Sequence, residues 1–245
     1  MAGNFVQLHN HTHYSLLDGA SKVPDLVKRV KELGMPAVGI TDHGNMHGAY
    51  ELWRAAVDSG VKPIIGIEAY VTPETARQDK TRVSWDTNWT PVPGHARNPD
   101  DVSGGGLITH LTMWAENDEG LVNLIKASSV ANLEGRVMRY PRMDKEVLST
   151  YSKGVIASSG CPSGIIQTRL RLGQFDEALR AAGEFQDIFG KDNFYIELMD
   201  HGLSIESKVT GDLLTIAKKL GAPLLATNDS HYVMEADKDA QDAML

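Results

Sequence analysis

Short apolar runs recur along this chain, and each stops at or just before a residue able to bind a metal. Phe5-Val6-Gln7-Leu8 stops at His9-Asn10-His11, Val38-Gly39-Ile40-Thr41 at Asp42-His43, and Ile64-Ile65-Gly66-Ile67 at Glu68. Leu107-Ile108-Thr109 stops at His110, Val155-Ile156-Ala157 leads to Cys161, and Leu224-Leu225-Ala226-Thr227 leads to Asp229-Ser230-His231. These β-type runs alternate with longer stretches of helical period, the mark of βα units around a mostly parallel sheet. Strands are predicted near 4–9, 37–41, 62–70, 106–114, 153–158, 193–198 and 223–227. Helices are predicted near 22–34, 46–59, 118–133, 162–171, 174–190 and 204–220. Ser21 ahead of Lys22-Val23-Pro24 reads as an N-cap with an early proline, and Gly34 and Gly221 as helix stops. Candidate ligands at nearly every strand end favour a closed or distorted (β/α) barrel, because an open sheet gathers its site at one switch point.

Residues 72–106 break the pattern. They hold Pro73, Pro91, Pro93, Pro99 and Gly104-Gly105-Gly106, with Trp85 and Trp89 between, and show no period. We read them as a long loop insertion within a single domain spanning 1–245, with Arg77, Lys80, Arg82 and Arg97 solvated rather than aimed at phosphates. The last residues read as a helix from near Glu235 without a cap or stop, the expected look of a segment cut from a longer polypeptide.

Composition narrows the function classes. At 245 residues and 42% hydrophobic content the chain can bury a full core. No apolar run approaches the roughly 20 residues that span a bilayer, and no signal-peptide layout opens the chain, so the expected location is the cytoplasm with no membrane partner. A net charge of −8 argues against a free-standing nucleic-acid binder. It leaves room for a nuclease, because acids that face metal cations invert the local field. The single cysteine, Cys161, sits in a Ser-Ser-Gly-Cys-Pro turn, a poor place for core filler.

His9 and His11 are two apart, so on a strand both imidazoles face one ion. Asp18, in a turn composition, can fold back over that pair, and Asp229 and His231 repeat the spacing. Glu68 is placed to bridge two ions, an arrangement that clamps both oxygens of a phosphoryl displacement. Asp42 reads as a residue that orients His43 rather than as a ligand. Imidazole and thiolate donors favour zinc, with manganese or iron as alternatives. A lone histidine is more often a surface or satisfied core residue than a ligand, and His13, His47, His95 and His201 are assigned there. Glu197, which also ends a strand, is read as a salt-bridged rim carboxylate in preference to a further site residue.

His9-Asn10-His11, Asp18-Gly19, Thr41-Asp42-His43-Gly44, Gly66-Ile67-Glu68, His110, Gly160-Cys161 and Asp229-Ser230-His231 together resemble the motifs of the PHP (polymerase and histidinol phosphatase) family. His13 to Ala20, Phe194 to Gly202 and Ala226 to Tyr232 are similar to its polymerase branch, the N-terminal domain of bacterial replicative DNA polymerases. The resemblance covers essentially the whole chain and is weakest over roughly 73–105.

The resemblance implies a distorted seven-stranded (β/α)7 barrel with three divalent metal ions at the C-terminal ends of its strands. It implies nine ligands: His9, His11, Asp18, His43, Glu68, His110, Cys161, Asp229 and His231. It further implies a 3′–5′ proofreading exonuclease acting on a DNA primer 3′ end, with the rest of a polymerase chain and replisome proteins as partners. A metal-bound hydroxide, not a side chain, would be the nucleophile. Two other readings fit the same residues: a small-molecule phosphatase of the histidinol-phosphate type, and a non-catalytic module that uses its metals to hold the fold.

Overall fold

A computed structural model describes residues 5–245. Seven strands form one curled sheet: β1 (Ala37–Ile40), β2 (Lys62–Val71), β3 (Thr109–Ala115), β4 (Arg142–Met143), β5 (Val155–Ser158), β6 (Phe194–Leu198) and β7 (Leu224–Ala226), in the order β1-β2-β3-β5-β6-β7 with β4 beside β2. The helices are α1 (Val23–Glu32), α2 (Ala49–Ser59), α3 (Ser103–Gly106), α4 (Asp118–Glu134), α5 (Lys145–Thr150), α6 (Ile165–Arg171), α7 (Phe175–Phe189), α8 (Ser204–Leu220) and α9 (Lys238–Asp242). All six predicted helices are present, and none among the described residues is long and apolar enough to cross a membrane.

The sheet is mixed rather than mostly parallel. β1–β2, β5–β6 and β6–β7 pair parallel, but β3 runs antiparallel to both β2 and β5. The reason lies in the connection. Between β2 and β3 the chain has no crossover helix beyond the four residues of α3, and without one it returns antiparallel. This reversal carries His110 to the beginning of its strand rather than its end, on the same rim as the ends of the parallel strands.

The first predicted strand, 4–9, is not a continuous strand; its residue 4 lies outside the described residues. The segment instead makes single parallel bridges on both sides, Gln7 with Val38 and Asn10 with Ser230. Gly39 N donates to Gln7 O at 2.8 Å and Thr41 N to Asn10 O at 2.9 Å, while His11 N donates to Ser230 O at 2.8 Å. This segment lies between β1 and the chain beyond β7, and so closes the sheet into a distorted barrel. Gly39 makes the approach possible, since a Cβ there would sit 2.5 Å from Leu8 O.

Amphipathic helices cover the ring because their apolar faces need a partner. Val23, Leu26, Val27 and Val30 of α1 pack with Leu52 and Ala56 of α2 against Val38 and Ile40. A larger core joins Ile67, Leu111, Met113, Ala157, Phe194 and Ile196 of the sheet to α4, α7 and α8. Helix ends follow local chemistry. Asn117 caps α4 and Asp144 caps α5 with side-chain oxygens, and Gly221 ends α8 at φ 63°. Ser21 does not cap α1. Lys22 holds that position without a side-chain bond, and Ser21 is buried and bridged to Thr12.

Segment 72–106 is fastened down at several points, although most of it, with Lys80, Arg82 and Arg97, is exposed to solvent as expected. Arg142, fully buried, donates to the carbonyls of Gly135, Leu107, Arg77 and Asp79. Asp101 accepts from the backbone of Trp85, and the Arg169 guanidinium lies 3.8 Å from the Trp85 ring. Arg77 is committed to Glu134, Asp144 and Glu146, Arg82 to the carbonyls of Gly104 and Gly105, and Arg97 to that of Val83.

Candidate metal centre

Ligand-type side chains from six segments converge at the rim. His9 and His11 come from the closing segment, Asp18 from the turn after it, His43 from beyond β1 and Glu68 from within β2. His110 comes from the start of β3, Asp229 and His231 from beyond β7. They fall into three overlapping clusters in which the donor atoms lie within 4.8 Å of one another: His9, His11, Glu68 and Asp229; His11, Asp18, His43 and His231; and His43, Glu68 and His110. Cys161 is buried just outside them, its Sγ 3.4 Å from His110 Nδ1.

Twelve buried side-chain nitrogen or oxygen atoms among the described residues lack a hydrogen bond, and five belong to this group: His9 Nε2, His11 Nε2, His43 Nδ1, Glu68 Oε2 and Asp229 Oδ1. They are close without being aligned. His11 Nε2 lies 3.1 Å from Glu68 Oε2 and 3.2 Å from Asp229 Oδ1, and His43 Nδ1 lies 3.0 Å from Glu68 Oε2. Unpaired buried polar atoms are costly, so five aimed at one volume need a shared partner. A divalent cation satisfies nitrogen and carboxylate donors together, and this donor set fits one.

The imidazoles are fixed from behind. His9 Nδ1 donates to Glu197 Oε1 at 2.7 Å, which leaves Nε2 bare toward the centre. His11 Nδ1 donates to Ser15 Oγ at 2.9 Å, and Ser15 passes its own proton to Asp42 Oδ1 at 2.9 Å. Asp42 also accepts from the Thr12 backbone at 2.6 Å. Glu197 is therefore not a rim ion pair. It is 1% exposed and takes hydrogen bonds from His9, Ser158 and Thr227. The sequence ranks this role for Glu197 second and does not mark Ser15 at all, because nothing local distinguishes a carboxylate or serine that faces inward across the barrel. His201 is held away from the clusters by Glu206 and the Asn228 carbonyl, and His47 and His95 are exposed.

Electrostatics follow the same logic. Burial opposes charge on His43, but Glu68 and Asp18 outweigh it and push the imidazole up to about 10. His9 is likewise raised, with burial opposed by Asp229, Glu197 and Glu68. Burial resists ionisation of Asp18, yet hydrogen bonds from His231 and His43 hold its carboxyl below the ordinary range. Glu68 is lowered against its burial by His110, His43 and His9. Burial, then the charges of Glu68 and Asp229, push the Cys161 thiol up. Protons here stand where cations would, and a bound cation would displace them.

Carboxylates, imidazoles and one thiol on a barrel rim, braced by buried hydrogen-bond partners, define a class of metal-dependent site. A family model described as PHP domain matches residues 7–201, and the chain belongs to that family. It is 51% identical over 242 residues to the DNA polymerase III subunit alpha of Mycobacterium leprae, covering 99% of this chain and 20% of that one. The chain thus spans about a fifth of the length of that curated relative. Two solved structures share the fold. An amidohydrolase from Chromobacterium violaceum with bound sulfate and no metal aligns with TM-score 0.52 at 14% identity, over 99% of this chain and 97% of that one. A two-domain protein from Bacteroides vulgatus containing a predicted PHP-like metal-dependent phosphoesterase also aligns with TM-score 0.52, at 13% identity, over 97% of this chain and 55% of that one.

Proposed function

We propose that this domain is a metal-dependent phosphoesterase acting as a 3′–5′ proofreading exonuclease on a DNA primer end. It would act within a replicative polymerase chain in the cytoplasm, alongside other replisome proteins. The observation that carries the reading is the convergence of five unpartnered buried atoms, from His9, His11, His43, Glu68 and Asp229, on one volume. The likeness to a polymerase subunit supports DNA as the substrate.

Three divalent ions, zinc by donor chemistry with manganese or iron as alternatives, would supply Lewis-acid stabilisation of phosphoryl charge and an activated water. The residues that would hold them are His9, His11, Asp18, His43, Glu68, His110, Cys161, Asp229 and His231. Glu68, shared by two of the clusters, would be the carboxylate to serve more than one ion. Glu197 fixes the tautomer of His9, and Asp42 acting through Ser15 fixes that of His11, so both present Nε2. No side chain is placed as a nucleophile, since the buried, raised thiol of Cys161 is a donor in waiting rather than an attacker.

The test is stepwise shortening of a 3′-labelled mismatched primer–template by metal-loaded protein, with a chelator control and His9→Ala alongside. Shortening abolished by both supports the assignment. Its absence with metal bound would move the weight to a structural role for the ions.

A further inference from the structure

An aromatic ladder leads out from the centre and ends in a guanidinium that pairs with no carboxylate among the described residues. Tyr70 is the cross-strand partner of His110, so it lies on the same face of the sheet. Its ring centroid is 5.4 Å from that of His110 and 5.7 Å from that of His43, almost parallel to the latter. Tyr140 meets the far side edge-on at 5.1 Å, and the Arg139 guanidinium sits 5.3 Å from the Tyr140 ring. Arg139 is exposed and forms no ion pair among the described residues. Nearby arginines differ: Arg77, Arg169 and Arg171 pair with carboxylates, while Arg82, Arg97 and Arg136 spend themselves on carbonyls.

The backbone presents this side chain deliberately. Val137 and Tyr140 exchange backbone hydrogen bonds at 3.0 Å each way, which makes Met138 and Arg139 the two tip residues of a tight turn. Met138 holds φ 54°, a left-handed conformation that side chains rarely adopt, and 72% of its surface is exposed. A turn kept in that shape by a residue ill-suited to it, beside a reactive centre, is the kind of strain that marks function.

We propose that Arg139, Tyr140 and Tyr70 form the subsite for a nucleic-acid strand running into the metal centre. Arg139 takes a backbone phosphate away from the bond being cut, the Tyr140 ring stacks a base, and Tyr70, covered by His43 on one side and met by Tyr140 on the other, seats Tyr140 against the centre. Guanidinium groups bind phosphate through paired donors, and aromatic faces accept any base. In a chain of net charge −8 a polyanion needs such a foothold. A small phosphomonoester does not, since two rings stand between the guanidinium and the histidines. The inference rests on the phosphoesterase reading above and makes that site selective for strands.

The experiment compares the 245-residue protein with its Arg139→Ala, Arg139→Lys and Tyr140→Leu variants in two separate assays. One measures binding of a fluorescein-labelled single-stranded oligonucleotide by anisotropy across salt concentrations. The other measures hydrolysis of bis(p-nitrophenyl) phosphate with manganese. Arg139→Ala should bind the oligonucleotide about tenfold more weakly, with a salt slope smaller by about 0.7, at unchanged hydrolysis of the small diester. Arg139→Lys should restore part of the slope, and Tyr140→Leu should weaken binding without altering it. Unchanged oligonucleotide binding in Arg139→Ala, absence of binding by the unaltered protein, or an equal loss on both substrates overturns the subsite. Failure of the unaltered protein to hydrolyse the small diester counts against the phosphoesterase reading instead, and the binding arm still decides the subsite.

Discussion

Glu197 Oε1 accepts the Nδ1 proton of His9 at 2.7 Å, and neither side chain is exposed. The pair spans 188 residues and joins the closing segment to β6, so the orientation of one candidate ligand depends on the far half of the chain. Glu197→Gln keeps the shape but removes the charge that fixes the tautomer. It should lower metal affinity about 10–100-fold, read by titration of chelated protein. Wild-type affinity in a folded Glu197→Gln protein would refute the bracing role.

Removing a ligand should act more severely. His9→Ala and Asp229→Ala should each reduce bound metal and abolish chelator-sensitive hydrolysis. Metal analysis and the 3′-labelled primer assay, run on the same preparation, check this; full activity with reduced metal would overturn the catalytic assignment.

The metal-free protein should lose stability as the solution becomes more basic. His43 is raised from 6.5 to about 10 in the folded state, so its contribution is complete below 6.5 and is lost as pH rises toward 10. The lowered carboxyls of Asp18 and Asp229 work oppositely: their contribution is complete above 3.8 and fades as pH falls below it. With metal bound the basic-side loss should reverse, because protons no longer compete for the imidazoles. Urea unfolding at pH 6 and pH 9, with and without chelator, measures both. Equal stability of chelated protein at the two pH values would rule out this coupling.

Metal removal should also lower the melting temperature, because the donors tie residues 9–18 to residues 229–231. At a free metal concentration a hundred times Kd the ion adds about 2.7 kcal/mol. Calorimetry with and without chelator reads the shift, and coincident curves would mean that the ions bind without holding the fold.

Gly39→Ala tests ring closure without touching a donor. Its Cβ would meet Leu8 O at 2.5 Å, so the closing segment must move away from β1. A loss of about 1–3 kcal/mol is expected, with weaker metal binding because His9 follows Leu8 directly. A neutral effect on both would show that the segment seats independently of β1.

Much of this was legible along the chain because the donors occupy positions that local geometry dictates. The two-residue spacings at His9/His11 and Asp229/His231, and Glu68 within an apolar run, mark candidate donors at strand ends, although His9 and His11 lie on a singly bridged segment and Asp229, at φ 45°, lies beyond β7. What stayed hidden depends on chain direction and on partners across the barrel. Nothing within Leu107-Ile108-Thr109 announces that β3 runs backward; only the missing crossover helix does. A two-residue strand such as β4 is too short to show a period. The closing segment carries the apolar run of a strand yet pairs at single points, since its role is to bridge two edges. Glu197 reads as a rim acid in sequence because a buried carboxylate is recognised by its partners, and those lie 39, 30 and 188 residues away.

Closure of the ring by residues 7–12 has a consequence for the order of events in folding. Contacts between the start of the chain and residue 230 are among the most distant in sequence the molecule makes, and such contacts form late. A nascent chain lacking Asp229 and His231 has only fragments of the centre and an open edge beside β1. On the proposed reading metal capture would be a completion signal: the ions could be held together only once the last strand had arrived, and a truncated product would be left both unfastened and inert.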